Sequence, residues 1–397
     1  MAKTWLILFD DVSPGSCFFL PHGTIVINRI MDFIRNKYSQ YGYEEVITPI
    51  ICEKRLWTVS GHYEKYKENM FVINSCSEDA EYSLCAMNCP KHIKIYQHLN
   101  PSYRHLPLRL ADFGPLHRNE PSGTLRGLSR VRLFHQDDAH IFCTRDQIKS
   151  EIKSCLQLLD EIYKTFGLPY NLTLSTRPDQ YIGDVELWDA AEVCLAECLQ
   201  EFGSYQLKPK DGAFYGPKID IMTPDVDDKY HQLGTIQLDF NLPQRFNLRY
   251  HVAADDNTNR YETPVIIHRS MLGSLERFLA ILLERTNGYL PFCFSPRQIA
   301  IIPVNTERHS EYADQIRKLV CSVSRSIRVH ILEDHSLSKR IREAETLHYN
   351  FIVVVGDAEI KSDTVSIRQK QTQTTMSQEL FKAELTSLLG QYCQVGF

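Results

Sequence analysis

The sequence predicts an α+β protein in which a large, mainly antiparallel sheet flanked by helices is followed by a smaller α/β domain built on a mixed sheet. Three observations predict it. A helix-periodic stretch near the start hands over to a short β-branched strand ended by a proline. The region after it consists of short alternating apolar runs broken by turn residues. Beyond about residue 293 the pattern changes to regular alternation of strand and helix. At 397 residues the chain exceeds one ordinary core. We therefore expect two domains, 1–293 and 294–397.

In chain order, Ile25, Ile27, Ile30, Phe33, Ile34 and Tyr38 recur near the helical period over Thr24 to Gln40, and the helix ends near Gly42. Glu45 to Thr48 follows as a strand that Pro49 stops, because proline has no amide hydrogen for a ladder. Leu106 to Phe113 and Arg130 to Phe134 read as strands. Asp146 to Phe166 reads as an amphipathic helix with Ile148, Ile152, Cys155, Leu156, Leu159 and Ile162 on one side. Gly234 to Phe240 and Pro264 to His268 are strand signals, the second feeding a helix from Ser274 to Arg285. After the prolines and aromatics of Pro291 to Pro296 come strands at 299–302, 328–332, 351–355 and 364–368 and helices at 307–322, 336–348 and 377–389. The strand at Thr364 to Arg368 is expected at the sheet edge.

Composition excludes several classes. Hydrophobic residues make up 43% and charged ones 23%, without low-complexity tracts, so the chain should fold throughout. It contains neither an apolar run of about 18 residues nor a signal peptide, so we expect a cytoplasmic protein with no membrane partner. The 12 cysteines are scattered, and most should be reduced. Cys85 and Cys89, like Cys194 and Cys198, are four positions apart, so neither pair is a CxxC. A net charge of −5 neither finds nor excludes an RNA partner.

The chain lacks GxxxxGK[ST], GxGxxG and GxSxG, so a phosphate would need another device. Phe113 to Gly123 followed by Arg130 to Phe134 reads as strand, polar loop, strand. An arginine beside an acid in such a hairpin can grip a phosphate and read an adenine amino group. Taken alone, the pair reads more often as a solvated ion pair. Gly273 permits a tight strand-to-helix junction, and Arg277 in the first helical turn favours an anion there, since a bare cation opposes the helix dipole.

The combination is specific. Helix, strand and Pro49, the Arg118/Glu120 hairpin with Phe134, and the Gly273 to Arg277 junction have the order and spacing of the three signature motifs of class II aminoacyl-tRNA synthetases. Ser60-Gly61-His62, Met87-Asn88-Cys89-Pro90, His117 to Gly123, Gln136 to Phe142, Phe214 to Asp220 and Thr235 to Phe240 resemble the threonyl-tRNA synthetase family. The resemblance covers nearly the whole chain from Ser13 onward. It implies a threonine-tRNA ligase, a homodimer that activates L-threonine with ATP and Mg2+ and loads it on tRNA(Thr).

The resemblance also implies roles for residues. Cys89, His140 and His268 match three ligands of one Zn2+ per chain, with a fourth position open for substrate. Arg118 would hold the α-phosphate, Glu120 the adenine amino group, Phe134 the adenine face, and Arg130 with Arg277 the outer phosphates; Gln232 is a further ATP residue. Met87, Gln136, Asp138, Tyr215, Lys218, Gln237 and Ser274 would line the threonine pocket. Arg118, Arg277 and His62 are the catalytic set, with His62 a proton acceptor in transfer to tRNA or a loop histidine that only contacts it. Glu359 and Arg368 match anticodon contacts. Ile27, Ile30 and Ile34 are expected to supply the dimer face.

The sequence also departs from the family. Lys91 stands in place of the usual glycine after Asn-Cys-Pro, and Cys85-Ala86 in place of Lys-Pro. The catalytic motifs begin almost at once, so no editing domain is expected in this chain; either it was trimmed to its core or the protein lacks editing. The rivals are a non-catalytic paralogue and a serine or proline synthetase. The retained arginines and metal ligands oppose the first. The Cys89/His140/His268 set opposes the others.

Overall fold

The computed structural model describes residues 5–73, 81–252, 260–369 and 372–392. The chain forms two compact units: Phe9–Cys17 with Ile34–Ile281, and Met1–Leu8 with Phe18–Phe33 and Leu282–Phe397. Compactness thus divides the chain elsewhere than at residue 293. The reason is visible at Arg29, whose guanidinium donates to Ser295 O (2.5 Å), Ser326 O (2.8 Å) and Gln298 Oε1 (3.2 Å), tying the first half of the long helix to the carboxy-terminal part.

That helix, α1, spans Pro21–Tyr41. Ile27, Ile30 and Ile34 are buried within this single chain, so they are not a free face for a partner. This corrects their expected use. The exposed apolar residues lie just beyond the helix, at Ile47, Ile50 and Ile51, with Ile47 95% exposed.

The larger unit is built on a nine-stranded sheet. Its strands are β1 (Glu44–Glu45), β2 (Leu108–Asp112), β3 (Pro115–His117), β4 (Leu133–Cys143), β5 (Asn171–Ser175), β6 (Tyr205–Lys208), β7 (Lys218–Pro224), β8 (Tyr230–Asp239) and β9 (Val265–Ser274). They lie in the order β6-β5-β7-β8-β9-β4-β2-β1, with β3 on β4. Only the terminal pairs β1/β2 and β5/β6 are parallel. β1 is shorter than the sequence predicts: after Val46 N donates to Ala111 O at 2.8 Å, the ladder ends.

Helix α2 (Cys89–Leu99) lays Ile93 and Tyr96 on the sheet, the Tyr96 ring stacked 4.5 Å from Phe142. Helix α3 (Ile148–Phe166) buries the whole apolar stripe read from the sequence, and its Tyr163 hydroxyl donates to Met271 O at 3.0 Å. Helix α4 (Val185–Phe202), capped by the Asp184 carboxylate on Glu186 N at 2.8 Å, was not legible as a helix. Helix α5 is Leu275–Arg285.

The smaller unit carries a five-stranded mixed sheet of β10 (Ile299–Pro303), β11 (Val329–Ile331), β12 (Phe351–Val355), β13 (Thr364–Gln369) and β14 (Thr372–Ser377), in the order β11-β10-β12-β13-β14. β10 is parallel to β11 and β12, and the remaining pairs are antiparallel. β13 is therefore interior, not the edge strand expected; β14 pairs with it on the outside. Helices α6 (Thr306–Val323), α7 (Leu337–Thr346), α8 (Asp357–Ser362) and α9 (Gln378–Tyr392) complete the unit. Tyr312, Ile316, Val320, Phe381 and Leu385 from α6 and α9 pack on Ile299, Ile301, Phe351 and Val353.

Candidate active site

Residues two apart on a strand share a face, and the register turns that rule into a site. On β4, Phe134, Gln136, Asp138 and His140 alternate with buried Asp137, Ala139 and Ile141. His140 pairs with His268 of β9, His268 with Gln237 of β8, and Gln237 with Lys218 of β7. One row across the sheet therefore carries two imidazoles, an amide and an ammonium.

Cys89 opens α2 above this row. Its sulfur and one ring nitrogen each of His140 and His268 lie within 4.8 Å of one another, all buried. Ligands about 2.0–2.3 Å from one tetrahedral ion stand roughly 3.3–3.8 Å apart, so a small inward shift would let one ion take all three. Burial, then the Asp138 and Asp239 charges, push the Cys89 thiol well up, while burial and the neighbouring His268 and His92 hold His140 neutral. A thiolate here needs a cation beside it, and one sulfur with two neutral imidazoles suits Zn2+. His268 Nε2 bonds Asp239 Oδ2 at 2.8 Å, leaving Nδ1 for a ligand role; Asp239 Oδ1 accepts from Asn241 N (2.8 Å) and Leu242 N (3.0 Å).

Gln136 and Asp138 lie on the strand face that bears His140; burial raises the Asp138 carboxyl. The Tyr215 hydroxyl donates to Gln237 Oε1, and its ring sits 5.0 Å from that of His268. Met87 packs against the buried cluster that contains Trp57, Leu116 and Phe134. Lys218 is committed: its ammonium bonds Asp220 and lies 3.6 Å from Asp211. His62 is buried with Nε2 3.9 Å from Cys89 Sγ and Nδ1 2.7 Å from Ser60 Oγ. Burial, His268 and nearby arginines lower its pKa to about 3. At neutral pH it is an uncharged imidazole.

The arginines of the second and third motifs lie within electrostatic reach of one another. Arg118 lies 5.0 Å over the Phe134 ring, and Arg130 pairs with Glu120 at 2.7 Å. Arg277 donates to Ser129 O (2.8 Å) and Gln232 O (3.1 Å), and burial followed by repulsion from Arg118 and Arg130 lowers its pKa. Three guanidiniums close enough to oppose one another are suited to an anion. The Gln232 side chain instead donates to Asp220 Oδ1 at 2.6 Å.

A register shift between Ser270 and Ser274 aims this junction. Asp137, which sequence reasoning missed, holds it: its carboxylate accepts from Ser270 Oγ (2.7 Å), Met271 N (2.8 Å) and Leu272 N (2.9 Å) and pairs with the buried Arg269 at 3.3 Å. Gly273 has φ +66°, and a Cβ there would meet Leu233 O at 2.1 Å. Ser274 then accepts from Arg277 N at 3.1 Å.

The departures are accommodated beside the site. Lys91 is buried and its ammonium donates to Pro49 O at 3.2 Å; Cys85 fills space against Pro49 O (3.5 Å) and Cys52 Sγ (3.4 Å). In the smaller unit, Glu359 caps its own helix, accepting from Gly356 N (2.9 Å) and Ser366 Oγ (2.7 Å), and Arg368 stands 3.9 Å from Glu345.

Residues 71–286 match the tRNA synthetase class II core domain (G, H, P, S and T), and residues 298–390 an anticodon binding domain. The chain is 49% identical over 369 residues to threonine–tRNA ligase 1, cytoplasmic, of Rattus norvegicus, covering 93% of this chain and 52% of that protein. It is 50% identical over 367 residues to threonine–tRNA ligase, mitochondrial 1, of Arabidopsis thaliana, covering 92% and 51%. Its fold superposes with TM-score 0.91 on the crystal structure of the RNA binding domain of threonyl-tRNA synthetase from Cryptosporidium parvum, at 46% identity over 98% of this chain and 96% of that one. The chain thus spans about half the length of the full-length relatives it matches.

Proposed function

The chain belongs to the threonyl-tRNA synthetase family of class II enzymes, and from that premise we propose that it activates L-threonine with ATP and transfers it to the 3′ end of tRNA(Thr). One observation carries the reading: the β4 face that bears His140 of the buried triad also bears Phe134, over which Arg118 lies at 5.0 Å with Arg130 and Arg277 in electrostatic reach.

In this reading Cys89, His140 and His268 would hold Zn2+, which when bound would supply a Lewis acid for recognising the threonine amino group and hydroxyl. The chain's own groups do the rest. Phe134 offers its face to adenine and Glu120 accepts from the adenine amino group. For this Arg130 must leave Glu120 for a phosphate, which suits a side chain half in solvent. The threonine carboxylate attacks the α-phosphorus and diphosphate leaves. Arg118 and Arg277, with the Mg2+ that accompanies ATP, neutralise the charge that gathers there. A ribose hydroxyl of tRNA then attacks the adenylate carbonyl and AMP leaves. His62, uncharged beside the site, is an acceptor for that hydroxyl's hydrogen. Gln136, Asp138, Tyr215, Gln237, Met87 and Ser274 shape the amino-acid pocket. Lys218 and Gln232 act through Asp220.

Residues 1–293 are read as the catalytic domain and 294–397 as the anticodon-binding domain, supported by the family match over 298–390. There Arg368 offers a donor to unstacked bases, and Glu359 shapes the neighbouring helix end. Homodimerisation through exposed Ile47, Ile50 and Ile51 replaces the α1 face first expected. Among the described residues no helix is long and apolar enough to cross a membrane. Two of the relatives above are named cytoplasmic and mitochondrial, and we read this protein as the cytoplasmic kind.

Threonine-dependent exchange of pyrophosphate into ATP tests the reading, followed by charging of tRNA(Thr). Exchange driven better by serine or proline, or none with any amino acid, overturns it.

A further inference from the structure

The two histidines of the triad are supported unequally. His268 is braced directly by a carboxylate, Asp239, at 2.8 Å. Among the described residues His140 has no carboxylate partner. Its Nδ1 lies 2.8 Å from Nδ1 of His92, an α2 residue that is fully buried. The two rings are 4.7 Å apart and perpendicular.

Two nitrogens that share one hydrogen must be one donor and one acceptor. If His140 presents a bare Nε2 to a metal, its proton is on Nδ1, and Nδ1 of His92 must be bare. The His92 proton then sits on Nε2, whose nearest acid is Asp112 Oδ2 at 3.8 Å. Asp112 is itself buried and fixed: Oδ1 accepts from Gly114 N at 2.6 Å and Oδ2 from the Thr48 hydroxyl at 2.5 Å. The row Thr48, Asp112, His92, His140 thus sets one carboxylate behind two imidazoles, and the buried His92 Nε2, which has no hydrogen-bond partner among the described residues, faces that carboxylate across 3.8 Å.

We infer that His92 and Asp112 are positioning residues that act through His140, selecting the tautomer and ring orientation with which it binds the metal. The inference rests on the zinc reading above, and Asp112 does for His140 through a relay what Asp239 does for His268 directly. Outer partners of this kind are typically worth about 10- to 100-fold in metal affinity.

The test measures the Zn2+ dissociation constant of metal-stripped protein by competition with a chromophoric chelator. His92→Phe removes the acceptor and should weaken binding about 10- to 100-fold. His92→Gln, whose amide oxygen can accept from His140, should recover part of the loss, which a purely structural role would not produce. Asp112→Asn should weaken binding by about tenfold with His92 intact. In a His140→Ala background, His92→Phe should cause no further loss. Unchanged affinity in His92→Phe, or the same fold loss with His140 absent, overturns the inference. Should His92→Phe fail to fold, as judged by circular dichroism of the stripped protein, His92→Gln and Asp112→Asn decide it alone, and native affinity in Asp112→Asn overturns it. Native protein that binds no Zn2+ overturns the zinc reading itself.

Discussion

Replacing Asp137 by alanine should unfold the larger unit at moderate temperature, although Asp137 touches no substrate in our reading. Its carboxylate faces the guanidinium of Arg269, which is fully buried against the rings of Tyr38 and Tyr43, 4.8 and 4.2 Å from their centroids. Burial raises the Asp137 carboxyl to about 6 against the pull of Arg269, so the site needs the charge pair and its bonds together. Stranding one charge of a buried pair costs about 3–5 kcal/mol. Three donors, Ser270 Oγ, Met271 N and Leu272 N, also lose their acceptor at roughly 1 kcal/mol each. These terms share one network and do not simply add, so we take about 5 kcal/mol. That rivals the whole stability of an ordinary domain, about 5–15 kcal/mol. The assay is urea unfolding followed by tryptophan fluorescence, which reports the larger unit because Trp57 and Trp188 are buried there. The double variant Asp137→Leu with Arg269→Met removes both charges and should regain about 2 kcal/mol or more. A loss below about 1 kcal/mol in Asp137→Ala, or a double variant weaker than the single, would refute the reasoning.

Gly273→Ala puts a Cβ against a backbone oxygen at positive φ and should cost about 2 kcal/mol or more, with pyrophosphate exchange falling further than stability as Ser274 and Arg277 shift; native exchange rates would show the junction tolerates a side chain. Stability of the metal-free protein should fall from pH 6.5 downward, because unfolded His62 and His140 take up protons there while the fold keeps both neutral, His62 until about 3. Each contributes stability that is fully present above 6.5 and falls by about 1.4 kcal/mol per pH unit of acidification below it; thermal midpoints flat between pH 7 and 5 contradict it. In exchange assays valine should be rejected by roughly 10⁴-fold or more, since polar partners built for a hydroxyl are left unpaired. Serine, lacking only a methyl, should be disfavoured only about 10- to 200-fold; a serine ratio as large as that of valine would argue against hydroxyl recognition at the triad.

Local periodicity by itself determined α1, α3 and the alternation of strands and helices after residue 298, because side chains facing a core repeat every 3.6 or two residues. It did not put Gln136, Asp138 and His140 on one strand face: the strand read there ended at Phe134, whereas β4 runs from Leu133 to Cys143. The residues that brace these groups were not legible. Asp137, Asp239 and His92 are each ordinary polar residues in sequence, and their roles depend on partners 29 to 135 positions away. Nor could the sequence tell that Lys218 is spent on Asp220, that Glu359 caps its own helix, or that Ile30 and Ile34 are consumed by the chain's own core. Such outcomes follow from register and burial, and those are set only when distant strands pair: the bulge between Ser270 and Ser274 decides where Arg277 points, and the pairing of His140 with His268 decides that Cys89 meets two imidazoles.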